Sequence, residues 1–273
     1  MDVEERKIAV ERELDVLKYF NNLELHRGLE SRNHIIKMHG WKRRHSKMSF
    51  LLELGGNSLQ DYYRQKIEDI YGENYRYNER VDEQLLINIL KGAAQALHQF
   101  HQHGIHLDVK EDNFVIALDE NQSEPNPDPG SNETIPVKLI DFNISVINSK
   151  GHVAHTEYIV DAIQAPELLN NPPLITNKAD VWSFGLMAAG LFHNTNYETA
   201  RENLAEYRDD TRYNGRLDQL IKACTRENPN SRPTMDSVVS FFEWATQRLQ
   251  LKYFAIEKKT IEFQKNKEKV TEM

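Results

Sequence analysis

The chain has 273 residues and a formal charge of −8, from 34 Lys and Arg against 42 Asp and Glu. With 39% apolar residues it can bury the core of one large domain or two small ones, and it is too apolar for a disordered chain. The negative balance lacks the electrostatic footprint of a nucleic-acid or membrane-surface binder, and a single cysteine, Cys224, excludes an intramolecular disulfide framework or a Cys-rich zinc module.

In chain order, Val10, Leu14 and Leu17 recur at helical spacing, so residues 4–20 read as an amphipathic helix. Residues 34–40 and 48–54 read as strands around a basic turn at 42–46, with Gly55 and Gly56 breaking the second strand. Ser58 is placed to cap a short helix from Leu59, with Asp61 three residues on. Residues 82–103 give the strongest helix signal. Leu86, Leu90, Ala93 and Leu97 line one face, and Leu85, Ile89, Ala96 and Phe100 fill another, a belt wide enough for a helix buried on most sides. Short apolar runs at 114–118 and 137–140 read as strands, separated by a Pro-, Asn- and Gly-rich exposed loop at 121–134. The remainder reads as helices at 178–193, 199–208, 215–226 and 234–255, followed from Glu257 by a Lys/Glu-rich solvated tail. The apolar run at 181–192 is too short to span a bilayer, and residues 1–15 lack a signal-peptide pattern, so a cytoplasmic chain is expected.

Chemistry concentrates where two strands end. Asp108, Lys110 and Asn113 precede the strand at 114–118, and Asp141 follows the strand at 137–140. Phosphoryl transfer needs such a set: one carboxylate to accept the attacking hydroxyl's hydrogen, a carboxylate and an amide oxygen for Mg²⁺, and a lysine to neutralise the transferring group. Each of these residues taken alone would more often be an ordinary turn residue. His98, His101, His103 and His106 raise a metal site, but no Cys or carboxylate cluster joins them.

The segments resemble the eukaryotic protein kinase family. His106-Leu-Asp108 stands where that family has H-R-D, Asp108 to Asn113 matches D-x-K-x-x-N, and Asp141-Phe142-Asn143 stands for D-F-G. Ala165-Pro-Glu167 is A-P-E. Asp180-Val-Trp-Ser-Phe-Gly185 is similar to the start of the family's central helix, and Arg232-Pro-Thr to its late R-P-T turn. Glu13 and the helix around it resemble the family's αC helix. The resemblance implies an α+β, protein-kinase-like fold: a reduced N-lobe of αC plus two strands at 1–54, a mostly helical C-lobe at 55–255 and a charged tail at 256–273. It implies a serine/threonine kinase using ATP and Mg²⁺. Asp108 would be the catalytic base assisted by Lys110, and Asn113 and Asp141 the magnesium ligands. ATP would lie around Leu52, Glu53, Leu54, Gly55 and Val115, with Glu13 as the αC glutamate. Leu17, Met38, His106 and Phe142 would stack into a spine anchored at Asp180, and Glu167 would pair with Arg232.

Departures from the family pattern keep two readings open. No G-x-G-x-x-G occurs, and no lysine-bearing strand precedes Glu13, which suggests an N-lobe truncated before αC. Lys7, six residues before Glu13, would point to another side of the same helix. Leu107 replaces the family's Arg, which argues against switching by an activation-segment phosphate on that residue. Asn143 replaces Gly, and Asn tolerates positive φ. Residues 159–164 lack the usual Thr and Tyr. An active kinase, with the missing strands restored, and a pseudokinase acting as a binding or scaffolding module are therefore both expected outcomes. The partner is a protein substrate or a protein ligand, with no nucleic acid and no membrane. A partner that supplies the missing strands by edge pairing is a third reading.

Overall fold

The computed structural model describes residues 3–27, 34–45, 47–72, 83–119, 121, 123–125, 133–152, 154–155, 159, 164–193, 195 and 197–246. The tail from Glu257, helix positions 247–255, most of the loop at 121–134 and residues 160–163 lie outside the described residues.

The chain opens with α1 (Val3–Arg27), seven residues longer at its C-terminal end than the apolar periodicity predicts. Residues 34–36 then run beside the strand that leads to Asp141: the Leu139 amide donates to the His34 carbonyl (2.7 Å), and the Ile36 amide to the Leu139 carbonyl (3.1 Å). A hairpin follows, β1 (Met38–Arg44) antiparallel to β2 (Lys47–Leu52). This corrects the sequence reading, which put the basic run in the turn. The cations Lys42, Arg43, Arg44 and Lys47 sit in the strands, leaving His45, at φ +52°, as the described residue of the turn. A second correction concerns Gly55 and Gly56. They do not simply end a strand but open β3 (Gly55–Ser58), which pairs with β5 (Phe114–Ala117). A Cβ on Gly55 would lie 2.7 Å from Val115 Cγ2, so glycine is what lets the two strands approach there.

Ser58 caps α2 (Leu59–Tyr71) as expected: its hydroxyl accepts from the Asp61 amide (3.2 Å) and donates to the Asp61 carboxylate (2.9 Å). α3 (Glu83–His101) buries most of the predicted belt, with Leu86, Ile89, Leu90, Ala93, Ala96, Leu97 and Phe100 all inaccessible and Leu85 half-buried at its edge. β4 (Gly104–Ile105) pairs with β7 (Val146–Ile147), and β5 pairs with β6 (Val137–Leu139), both antiparallel.

The helical body is organised on α4 (Asn177–His193), whose residues 179–192 are all buried. A helix apolar on every side must be enclosed on every side. The helix expected at 199–208 is divided at Asn203 into α5 (Tyr197–Glu202) and α6 (Leu204–Asp209). α7 (Arg216–Cys224) crosses α4 closely: a Cβ on Gly185 would lie 2.7 Å from Cys224 Cβ. Residues 235–246 form α8. The α+β plan predicted from the sequence, a small mixed N-terminal part on a large helical one, is the plan observed. Among the described residues no helix is long and apolar enough to cross a membrane.

Candidate active site

The loop from β4 to β5 hangs from the first turn of α4. The buried Asp180 carboxylate accepts from the His106 amide (2.7 Å), the Leu107 amide (2.8 Å) and His101 Nε2 (2.9 Å). This clamp holds Leu107 at φ +69°, a left-handed conformation that costs a branched side chain about 1–2 kcal/mol. The Leu107 side chain turns into the core, 3% exposed. His106 Nε2 lies 3.1 Å from the Ile140 carbonyl, so that nitrogen carries the hydrogen, and Nδ1 accepts the Asp108 amide (3.3 Å). Ser145 Oγ donates to the His106 carbonyl (3.0 Å).

Asp108 is thereby fixed at the loop's centre. Its Oδ2 accepts from Lys110 Nζ and from Asn113 Nδ2, both at 2.8 Å, and Asn113 Nδ2 also reaches the Asp108 carbonyl (2.7 Å). With the amide nitrogen so engaged, Asn113 Oδ1 is left as an oxygen ligand. The Ile140 amide donates to the Asn113 carbonyl (3.0 Å), which brings the start of β5 and the end of β6 together and sets Asp141 beside Asn113. An amide oxygen and a carboxylate form a hard-donor pair that fits Mg²⁺.

The Asp141 segment differs from expectation in one detail. The positive φ anticipated at Asn143 is carried by Asp141 (φ +60°), another residue whose short side chain tolerates that region. Phe142 stacks on Phe100, centroids 5.4 Å apart with rings parallel within 2°, and meets His106 edge-on at 5.6 Å. Phe20 of α1 extends the stack, 5.4 Å from Phe100. Leu17, Met38, His106 and Phe142, the expected spine, are all buried. Phe20 and Phe100 belong to the same stack; Phe100 was legible only as a core position of its helix, and Phe20 was not singled out.

Glu13 does reach the site, but its partner is backbone. Its Oε2 accepts from the Phe142 amide (2.5 Å). Burial, and then the nearby Asp141 charge, push its carboxyl up to about 7, against the lowering effect of that hydrogen bond. No lysine or arginine forms an ion pair with it among the described residues; Lys7 pairs with Glu4 instead (3.1 Å). The residues present therefore fit the metal better than they fit the phosphates.

At the other end of the site, Leu52 and Leu54 are exposed, Leu54 by 64%, while Gly55 and Val115 are half-buried where β3 meets β5. Glu53 is held firmly. Its carboxylate accepts from the Lys37 amide and from Lys138 Nζ, both at 2.9 Å, and its amide donates to the Lys37 carbonyl (2.8 Å). Sequence reasoning missed Lys138, which is an unremarkable alternate residue of β6 and shows its use only once β6 lies beside the chain at Lys37. The histidines scatter: His101 meets Asp180, His103 meets Tyr19 Oη (3.0 Å) and His106 meets a carbonyl, and no three potential ligands gather among the described residues. Glu167 and Arg232 form the expected pair, bidentate at 2.6 and 2.8 Å and almost fully buried.

Comparison with known proteins agrees with this geometry. A family model described as protein kinase domain matches residues 3–244. The chain is 27% identical over 244 residues to NUAK family SNF1-like kinase 2 of Rattus norvegicus, covering 86% of this chain and 34% of that one. It is 26% identical over 232 residues to germinal center kinase 3 of Caenorhabditis elegans, covering 75% and 36%. It is also similar to CBL-interacting protein kinase 28 of Oryza sativa subsp. japonica, 25% identical with 58% and 36% covered. The chain thus spans about a third of the length of these relatives.

Proposed function

Because the chain belongs to the protein kinase domain family, we propose that its site transfers the γ-phosphoryl group of ATP to a serine or threonine of a protein, with a lysine and a phosphate-covering strand from outside residues 1–273 meeting Glu13. The observation that carries this reading is the array of Asp108, Lys110 and Asn113 hung from Asp180. Asp108 Oδ2 is taken by Lys110 and Asn113, which leaves Oδ1 to orient the substrate hydroxyl and accept its proton. Lys110 faces the same carboxylate and can move its charge onto the transferring phosphoryl group. Asn113 and Asp141 would hold Mg²⁺, which supplies neutralisation of the phosphate charge. Leu52, Glu53, Leu54, Gly55 and Val115 would border the adenine. A cytoplasmic setting and a protein substrate accompany this reading.

The test is label transfer from [γ-³²P]ATP with Mg²⁺ to casein, using a chain extended upstream by whatever its own coding sequence supplies. Transfer that Asp108→Asn abolishes supports the reading. No transfer and no thermal shift at millimolar Mg-ATP overturns it.

The Glu13 contact favours a second reading, a pseudokinase that serves as a binding module. A carboxyl already committed to the Phe142 amide, and raised to about 7 with no cation beside it, keeps α1 docked without a nucleotide. Under this reading Mg-ATP gives no label transfer and Asp108→Asn changes nothing measurable.

A further inference from the structure

A hollow lies in the helical body, where the C-terminal end of α4 meets α6 and the 210–213 loop, and none of its lining residues belongs to the Asp108 loop. Three rings stand in its wall. His193 meets Tyr207 at 5.0 Å and Tyr213 at 5.3 Å between centroids, both edge-on, and the two tyrosines lie 5.2 Å apart. Ala189 and Ala200 line it too, and their lack of bulk leaves a volume of about 260 Å³ open.

The chain's own bonds hold the hollow in shape. Tyr207 Oη donates to Asp218 (2.9 Å), and Lys222 Nζ donates to the Asp210 carbonyl (2.7 Å). The Asp210 carboxylate accepts from the Arg212 amide (2.8 Å) and pairs with the Arg212 guanidinium at 2.5 Å. That pair is neutral, so the formal charge left on the lining is that of Glu206, an exposed side chain that makes no ion pair among the described residues. The surroundings are acidic as well. Glu198, Glu202 and Asp209 are exposed on α5 and α6, while Arg201 and Arg208 turn to the carbonyls of Gln164 and Thr225, both at 2.6 Å.

Size and charge select the ligand. Pockets for drug-sized molecules span about 300–1,000 Å³, so this one admits a single ring with a short arm and not a nucleotide. A flat ring packs edge-on or offset against the aromatic wall. Aromatic faces are negative and attract cations, and these rings already do so: Lys222 Nζ lies 5.3 Å from the Tyr207 centroid, and Arg212 Cζ 6.0 Å from that of Tyr213. A ligand carboxylate or phosphate would instead meet Glu206 and Asp210, with Arg212 already taken up by Asp210.

We propose that this hollow binds a small organic cation built on one aromatic ring. The ring lies against His193, Tyr207 and Tyr213, and the ammonium group lies beside Glu206. The site holds whether or not the Asp108 loop transfers phosphate.

The test is a titration of the ¹⁵N-labelled full chain, followed by ¹H–¹⁵N NMR at low salt and at pH 8, where an ordinary imidazole is neutral. Three probes separate the contributions. Phenethylamine has the ring and the positive charge, 3-phenylpropionate has the ring with the opposite charge, and n-butylamine has the positive charge alone. Phenethylamine should give saturable shifts confined to amides around residues 189–213, and the other two should bind about tenfold more weakly or worse. Glu206→Gln should weaken phenethylamine several-fold. Ala200→Leu, which fills the hollow, should abolish its binding. Circular dichroism and thermal melting check each variant's fold; if Ala200→Leu unfolds the chain, Asn203→Leu, at an exposed lining position, takes its place. Absence of saturable shifts, an unaffected Glu206→Gln or cavity-filling variant, or equal affinity for phenylpropionate or butylamine each overturns the proposal. Equal binding of phenylpropionate would mark burial of a ring alone, and equal binding of butylamine a generic attraction to the acidic helices.

Discussion

The body around α4 and the hairpin β1–β2 use their charges in opposite ways. From Ala179 to Phe192 every residue is buried, whereas along β2 none is. A charge inside the body must be matched, because an unpaired buried charge is strongly unfavourable. Arg232 accordingly gives Nε to the Arg226 carbonyl, Nη1 to Glu167 and the Lys178 carbonyl, and Nη2 to Glu167 and the Glu227 carbonyl. In the hairpin Arg43 pairs with Glu11, while Lys42, Arg44 and Lys47 are exposed to water and need no partner. Matched charges fix shape, and unmatched ones remain open to a visitor. The Asp108 loop hangs from the first region through Asp180, while Glu13 approaches from the α1 layer that carries the second.

The sharpest way to break this contrast is to cut the buried pair. Glu167→Ala or Arg232→Ala should cost about 3–5 kcal/mol, read as a large fall in the urea midpoint. The hairpin variant K42S/R44S/K47S should leave that midpoint within error. Equal losses in the two would end the comparison. Next in size is Asp180→Asn, which keeps one acceptor oxygen but turns an NH₂ toward a bonded N–H. A loss of about 2–3 kcal/mol is expected in the same assay.

Glu13 tests the seam between the regions. Its carboxyl is raised from 4.5 to about 7 in the fold, so the protonated form is favoured there. The stabilising contribution is complete below pH 4.5 and is lost as pH rises through 7. Relative to wild type, Glu13→Gln should gain stability across that window and level off above it, by an amount on the order of 3 kcal/mol. A flat difference between pH 4 and 8 would show that the carboxyl is not buried against Asp141. The smallest effect concerns Cys224, whose thiol burial pushes up to about 12. Native protein at pH 8 should not react with Ellman's reagent over minutes, and prompt reaction would mean that the body is looser than the hairpin contrast requires.

Legibility in the sequence followed the same division. The buried helices α3 and α4, the Ser58 cap and the Glu167–Arg232 pair were readable because periodicity and short motifs record burial and local hydrogen bonding. Asp108, Lys110, Asn113 and Asp141 were readable because they lie within a few residues of strand ends. What could not be read was decided by contacts far apart in sequence or by solvent. The basic run was taken for a turn because composition does not distinguish an exposed strand from a loop. Gly55 was taken for a break because its close approach to Val115 involves a strand sixty residues away. Lys138 and Glu53 meet only because residues 34–36 lie along β6. The positive φ falls on Asp141 instead of Asn143, and both residues tolerate that region, so local preference could not choose between them.

The approach of α7 to α4 at Gly185 gives the chain a built-in clock. The one thiol is sealed by a contact with no room for a methyl group, so a reagent can reach it only when those two helices separate. Its rate of labelling therefore counts openings of the body, and ligands can be ranked by how far they slow that count: a nucleotide at the loop under Asp180 should slow it.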